Sequence, residues 1–461
     1  MKRPAFPRES SHVFRISATH ADPRQGEPLE LDSPSPAALS DGDRAAAGAW
    51  FAAGVFAIAA LLSYTDRYML NLLLEPIRLD LLLTDTHASV LVGVGFASIY
   101  AFVGLPLGRL ADRTNRRNLV IIGVIVWSAG TVGCALAGSF QSFFVGRLVV
   151  AVGEAGLAPA VFSMIADLFP PRLRGRALSL FVMGAALGNA ASLLLGGALM
   201  RFAEAHVFSN WPWIGHLAPW RITLVLVGLS GVIVACIVCA IAEPTRRGKS
   251  REGAPPLRNF LGIIFARRWR LATLYLGLAL FAVADFAFTV WKPTLFMRQF
   301  AFTSSQAGLI LGSLALVAAV LGSLSGGWFG DRVAARGGAG QRTRLAFLVA
   351  CCFVPAAAFM GVGSAPLALA AVAVWSLGGA VVQIIVMTSL QEQLPNEYRG
   401  FGASVSAFLG ISLGIGLGPT LVGLATQYLY RAPSMVGWSM ATVMVPAGAL
   451  AIFAFRHSAK N

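Results

Sequence analysis

The chain has 461 residues, 56% of them apolar before its 49 glycines are counted, and only 12% charged. A soluble domain is about 25% charged, so a soluble fold of this size could not cover its surface, and the composition excludes one. The net charge is +15, and the five cysteines (Cys134, Cys236, Cys239, Cys351, Cys352) are odd in number and sit in apolar runs, which excludes a disulfide framework.

Residues 1–47 are rich in Pro, Ser, Asp and Arg, lack a secretory apolar stretch, and read as a disordered cytoplasmic tail. A helix crosses a hydrocarbon core with about 20 apolar residues, and uncharged runs of that size then recur. Runs near 49–73 and 87–108 give spans 1 and 2. The run from Arg117 to Arg147, turning at Gly138-Ser139, gives span 3 and the start of span 4, which continues through 148–168. Arg176 to Arg201 and Arg221 to Glu243 bracket spans 5 and 6. A basic, Pro/Gly-containing linker follows at 244–269. Spans 7 and 8 lie near 271–296 and 304–328, and Arg344 to Glu392 encloses a hairpin, spans 9 and 10, around Gly363-Ser-Ala-Pro366. Spans 11 (400–426) and 12 (Arg431 to Arg456) precede a short tail at 456–461. Strand-like alternation is absent. The fold class is an all-α integral membrane protein with twelve helices in two six-helix bundles, 48–243 and 270–455.

With the N-terminus in the cytoplasm, most Lys and Arg fall in cytoplasmic segments, as the positive-inside rule requires. Both termini are then cytoplasmic, and a bacterial inner membrane is the expected location. The basic excess is a topology signal and does not imply nucleic acid.

The halves repeat. Gly108-Arg-Leu-Ala-Asp112-Arg113 and Gly327-Trp-Phe-Gly-Asp331-Arg332 are offset by 219 residues. Asp167-x2-Pro170-x3-Arg174-Gly175 and Glu392-x2-Pro395-x3-Arg399-Gly400 are offset by 225. Parallel repeats with a substrate site between them are a transporter architecture.

The segment Gly108-Arg-Leu-Ala-Asp112-Arg113-Thr-Asn115-Arg116-Arg117 resembles the loop signature of the major facilitator superfamily. Asn115 stands where that family usually has Gly, and Asn tolerates a left-handed turn. Within the family, Tyr64-Thr-Asp66-Arg67-Tyr68, Arg147-x5-Gly153-Glu154-Ala155 and Trp291-x-Pro293-Thr294 resemble the Spinster branch. That resemblance implies proton-linked movement of lysophospholipids or sphingoid lipids.

Charges within spans cost about 2.5–3.5 kcal/mol each, and the clear cases are Asp66, Arg67, Arg147, Glu154 and Asp285. Rising from Ala49, helix 1 places Asp66 about 26 Å up; descending from Gln141, helix 4 places Arg147 about 9 Å down, at similar depth. Asp66 and Arg147 are therefore expected partners. Glu154, about 10 Å further along helix 4, has no evident cation, which makes it a proton-carrier candidate beside Asp66, Arg147 and Arg67. A structural ion cluster holding helices 1 and 4 is the competing reading. Asp285 lies 219 residues after Asp66, at the matching place in the second repeat, either as a substrate or proton group or as a carboxyl hydrogen-bonded across helices. Lys292 is expected to snorkel to the surface. Gly184-x3-Gly188 and Gly410-x3-Gly414-x3-Gly418 are packing spacings. Cys236-x2-Cys239 sits in an apolar helix and the six histidines fall in tails or outer loops, so neither metal nor cofactor is expected; protons are the coupling ion.

A cytoplasmic gate is expected from Gly108, Asp112, Arg113, Arg116 and Arg117 with the start of span 11 (Arg399) and the loop after span 4 (Asp167, Arg174). Its second copy comprises Asp331, Arg332 and Glu392, reaching Asp167 and span 5. No ATP-binding Gly-x4-Gly-Lys-Ser/Thr loop occurs, and the short basic loops carry no nucleophile cluster of a membrane-bound transferase. The second half offers few amides for a sugar, with Gln383 alone inside its spans. A cavity with one charged and one apolar wall suits an amphiphile contacting Tyr64, Arg67, Arg147, Glu154, Asp285, Trp291 and Gln383. The expected protein is a monomeric, proton-coupled lipid transporter among membrane lipids. The alternative is a proton-coupled organic-acid or drug carrier.

Overall fold

The computed structural model describes residues 47–212, 215–246, 257–266, 269–395 and 398–460. The N-terminal tail through residue 46 and linker residues 247–256 and 267–268 lie outside the described residues. Among the described residues twelve helices are long and apolar enough to cross a membrane. The first six are Gly48–Asp80, Asp85–Arg113, Arg116–Ala135, Phe140–Leu168, Pro171–Glu204 and Pro219–Cys239. The second six are Arg270–Phe300, Ser304–Gly338, Gly340–Gly361, Ala365–Gln393, Arg399–Tyr430 and Pro433–Ala459. Helices satisfy their own backbone in lipid, which open sheets cannot.

Twelve crossings bring residues 47 and 460 to the same end of the bundle, here called the terminal side; the opposite end is the distal side. Local chemistry sets the turns. On the distal side Ser139 with Ser142, and Thr303 with Gln306, form capping boxes that open spans 4 and 8. Pro171 and Pro219 occupy first helical positions in spans 5 and 6. Spans 8 and 9 join on the terminal side through Gly337-Gly338, and Gly338 takes a left-handed φ of 71° that favours glycine.

The linker and the C-terminal tail carry helix. The linker contains a helix, Leu257–Ala266, whose Phe260 packs edge-on against Phe401 with ring centroids 4.7 Å apart. The final helix continues through Lys460, past the expected tail boundary at 456, and Ser458 Oγ donates to the Arg270 carbonyl at 3.0 Å.

Close packing uses small residues, as expected for helices in lipid. Gly184 and Gly188 of span 5 lie so near the carbonyls of Ala57 and Leu61 that a Cβ at either place would collide with span 1. Across the halves, a Cβ on Gly197 of span 5 would sit 3.0 Å from the Cα of Gly308 in span 8. Several spans deviate from straight α-helix, and span 9 ends in a 3-10 helix, Val354–Gly361. Span 2 breaks at Gly93, span 4 breaks at Gly156 just after Glu154, and span 11 carries π-helical turns at Gly410–Ile415 and Ala425–Tyr430. Such turns concentrate at functional sites.

Candidate functional site

Span 1 carries Asp66 and Arg67, and span 4 carries Arg147 and Glu154; all four are at least nine-tenths buried. The pairing expected from helix depth is not the one formed. Arg67 grips Glu154, its Nε and Nη2 donating to Oε2 at 2.8 and 2.5 Å. Glu154 thus has a cation, contrary to the sequence expectation. Asp66 instead accepts a 2.6 Å hydrogen bond from Thr131 Oγ1 of span 3, and no ion pair joins it to Arg147 among the described residues. Depth along two helix axes constrains height alone. Rotation about each axis decides partners, and it turns Arg67 toward span 4 and Asp66 toward span 3.

Aromatic rings complete the cluster. The Arg67 guanidinium lies 4.9 Å from the Tyr64 ring, 5.1 Å from Phe96 and 4.7 Å from Tyr100. Arg147 lies 4.8 Å from Phe96, so this one ring serves two cations. The cluster is incompletely satisfied: Arg147 Nε and Glu154 Oε1 are buried without a hydrogen-bond partner. Two cavities of about 10 Å³ adjoin it, each with room for about one water. One lies between Asp66, Thr131 and Arg147. The other lies between Arg67, Tyr68, Asn71 and Arg147 on one side and Phe286, Val290 and Ile415 of the second half on the other. A charged wall from the first six spans therefore faces an apolar wall from the second six.

The second half is plainer. Asp285 is half-buried and accepts a 3.2 Å hydrogen bond from Trp375 Nε1 of span 10, the cross-helix bond anticipated as one of its two readings. A Cβ on Gly379 would lie 3.4 Å from Asp285 Oδ1, and exposed Gln383 follows one turn later on the same face. Trp291 leaves no open face for a ligand: it is fully buried, and its Nε1 donates to the Pro419 carbonyl at 3.0 Å, joining spans 7 and 11. Lys292 does not snorkel. It is 5% exposed, with Nζ 4.7 Å from the Phe288 ring centre.

At the terminal side the charge networks stay within each half. Arg116, 1% exposed, binds Asp167, Glu243 at 2.8 Å and Ser163 Oγ at 3.0 Å. The Arg117 amide donates to Glu243 at 2.8 Å. Arg342 takes the matching place in the second half, binding Asp331 at 3.1 Å and Glu392 at 2.8 Å. Arg174 and Arg399 cap the carbonyls of Phe169 and Leu394, each five residues back. Gly108 is half-exposed, while Asp112 and Arg113 are exposed; the Asp112 carbonyl accepts from Arg246, and Arg332 lies over the Trp328 ring at 5.2 Å. Among the described residues no ion pair joins Asp112 to span 11.

The halves are instead tied at the distal side, by residues the sequence reading missed. Arg298 of span 7 donates to Glu75 of span 1 at 2.8 Å and to Asp85 of span 2 at 2.5 Å, and Arg78 also binds Glu75 at 2.7 Å. Gln427 accepts from the Thr86 amide at 2.9 Å, and Thr420 from the Val94 amide at 3.4 Å. Among the described residues, every hydrogen bond or ion pair between the halves lies on this side.

The sequence matches the Major Facilitator Superfamily over residues 56–419, most of the chain. The chain belongs to that family. Its twelve membrane-length helices are those of an integral membrane protein of that family. Its relatives include an "MFS-type efflux pump" of Mycolicibacterium smegmatis, 30% identical over 62% of this chain and 64% of that one. "Protein spinster homolog 1" of Xenopus tropicalis is 28% identical over 58% of this chain and 51% of its own length. The matches therefore span less than two thirds of those relatives. Among solved structures, a bacterial homolog to the human lysosomal transporter Spinster, inward-facing and unoccupied, superposes with a TM-score of 0.76 at 24% identity, covering 90% of this chain and 97% of that one. That likeness establishes the fold.

Proposed function

We propose that this protein is a monomeric, proton-coupled transporter of an amphipathic lipid, of lysophospholipid or sphingoid type, working by alternating access in a bacterial inner membrane with both termini in the cytoplasm. The observation that carries this reading is the opposition of buried Arg67 and Arg147, in the cluster they form with Asp66 and Glu154, to the apolar wall of Phe286, Val290 and Ile415. A phosphate headgroup meets cations on one side and its chain meets hydrocarbon on the other. A relative named sphingosine-1-phosphate transporter, of Xenopus tropicalis, 26% identical over 62% of this chain and 52% of its own length, supports the same class.

Proton coupling follows from the half-satisfied ion pair. A substrate phosphate that draws Arg67 away leaves Glu154 buried without its cation, and a buried charge that loses its partner neutralises. Taking a proton restores neutrality, and returning Arg67 expels it. Arg147, whose Nε has no partner, is the second cation available to the headgroup. Tyr64, Asp285 and Gln383 line the route, whereas Trp291 positions span 11. The terminal side is cytoplasmic in this account, so the structure is closed to the outside by Arg298 and its two carboxylates. The charged motifs around Asp112 and Asp331 close the inside once the distal cluster parts.

A second reading, a proton-coupled organic-acid or drug carrier, is favoured by the 30% identical efflux pump. Proteoliposomes given a fluorescent lysophospholipid and a pH gradient separate the two. Lipid movement that follows the gradient and resists competition by aromatic acids supports the first. Gradient-driven movement of acids or drugs without lipid supports the second, and lipid movement that ignores the gradient removes the coupling.

A further inference from the structure

A second hollow lies apart from the central cluster, between the terminal-side ends of spans 8 and 9. It encloses about 390 Å³ and is lined by Val333, Arg336, Gln341, Arg344, Leu345 and Leu348. Four arginines crowd this end, and two are already committed. Arg342 is bound by Asp331 and Glu392, and Arg332 lies over Trp328. Arg336 and Arg344 are exposed, and among the described residues neither has a carboxylate within ion-pair distance. The two nearby acids are engaged by Arg342, so the hollow presents uncompensated positive charge.

Its inner part is apolar. Leu348 is 50% exposed and lies about 12 Å along span 9 from its first residue, Gly340. Val333 and Leu345 flank it. Arg336 is two residues from the end of span 8 and Arg344 is one turn into span 9, which sets both at the terminal-side ends of their membrane-length helices. A free anion would use the arginines and leave the apolar floor uncovered. An anionic amphiphile covers both.

We propose that this hollow binds an anionic phospholipid of the surrounding bilayer, its phosphate held by Arg336 and Arg344 and its upper acyl chain laid along Val333, Leu345 and Leu348. The guanidinium fork matches phosphate oxygens, and basic pockets between spans at the membrane surface are suited to lipid headgroups. The site is separate from the central cluster and does not rest on the transport reading.

The test is native mass spectrometry of the full chain in mild detergent, titrated with phosphatidylglycerol or with phosphatidylcholine of the same acyl chains. Phosphatidylglycerol should be retained about tenfold better or more. The preference should vanish in the R336Q/R344Q double variant and persist in Arg332→Gln. Arg344→Lys, which keeps the charge and loses the fork, should fall between, and it supplies the reading should the double variant not fold. Equal retention of the two lipids, or a preference unchanged in both the double variant and Arg344→Lys, overturns the proposal. Full displacement of phosphatidylglycerol by equimolar inorganic phosphate overturns the lipid assignment in favour of a free-anion site.

Discussion

At repeat-related positions 219 residues apart, Asp66 and Asp285 keep different company. Asp66 is buried beside a second carboxylate, two arginines and three aromatic rings, with two buried polar atoms left unmatched. Asp285 is half-buried, accepts one indole N–H and lies beside a glycine. The fold repeats, but in place of that four-charge cluster the second half sets Asp285 within electrostatic reach of the buried Lys292. An apolar pair would hold two helices together at lower cost than buried ions, so concentrating charge in one half is explained better by chemistry than by packing. The second half supplies the smoother wall against which a chain can slide.

The comparison can be broken in order of expected effect. Arg67→Ala should be the most damaging change, because it leaves Glu154 buried without its cation, and removing one partner of such a pair costs about 3–5 kcal/mol. A thermal melt in detergent should show a large drop, and an unchanged melting temperature would mean the pair is loose in the folded protein. Arg298→Gln should come next, acting on state more than on stability. With its hold on Glu75 and Asp85 gone, electron–electron distances between labels on distal ends of spans 1 and 7 should lengthen, while an unchanged distribution would show that the cluster is no latch. Asp285→Asn keeps an acceptor for Trp375 and should cost no more than about 1 kcal/mol, the worth of one ordinary hydrogen bond. Lys292→Ala should be mildest for transport, because its Nζ rests on Phe288 and touches none of the four clustered charges. Gradient dependence lost in Lys292→Ala would move the coupling site into the second half.

The twelve spans, their turns and the repeat were legible in the sequence, because crossing length and the cost of charge in hydrocarbon are local and strong. Gly138-Ser139 and Gly363-Ser-Ala-Pro366 mark hairpin turns, and the helices meet there. The members of the central cluster were legible for the same reason, since each is a charge inside an apolar run. Their pairing was not. Helix rise fixed the heights of Asp66 and Arg147, but Thr131 is an ordinary-looking threonine whose hydroxyl claims Asp66 only once span 3 is in place. The distal cluster was missed because Glu75, Arg78, Asp85 and Arg298 flank spans and resemble loop charges; 213 residues separate Asp85 from Arg298, and nothing local joins them. Lys292 misled because snorkelling is judged from distance to a helix end, whereas the extension of span 7 to Phe300 keeps it inside.

The asymmetry between the halves is tested most directly by charge movement across proteoliposomes on a solid-supported membrane, with wild type, Glu154→Gln and Asp285→Asn compared in one preparation. A pH gradient with lysophosphatidylcholine should evoke a transport current in wild type that Asp285→Asn retains in large part and Glu154→Gln abolishes, although Glu154→Gln still binds the lipid. A current that survives Glu154→Gln and is lost in Asp285→Asn would contradict the account.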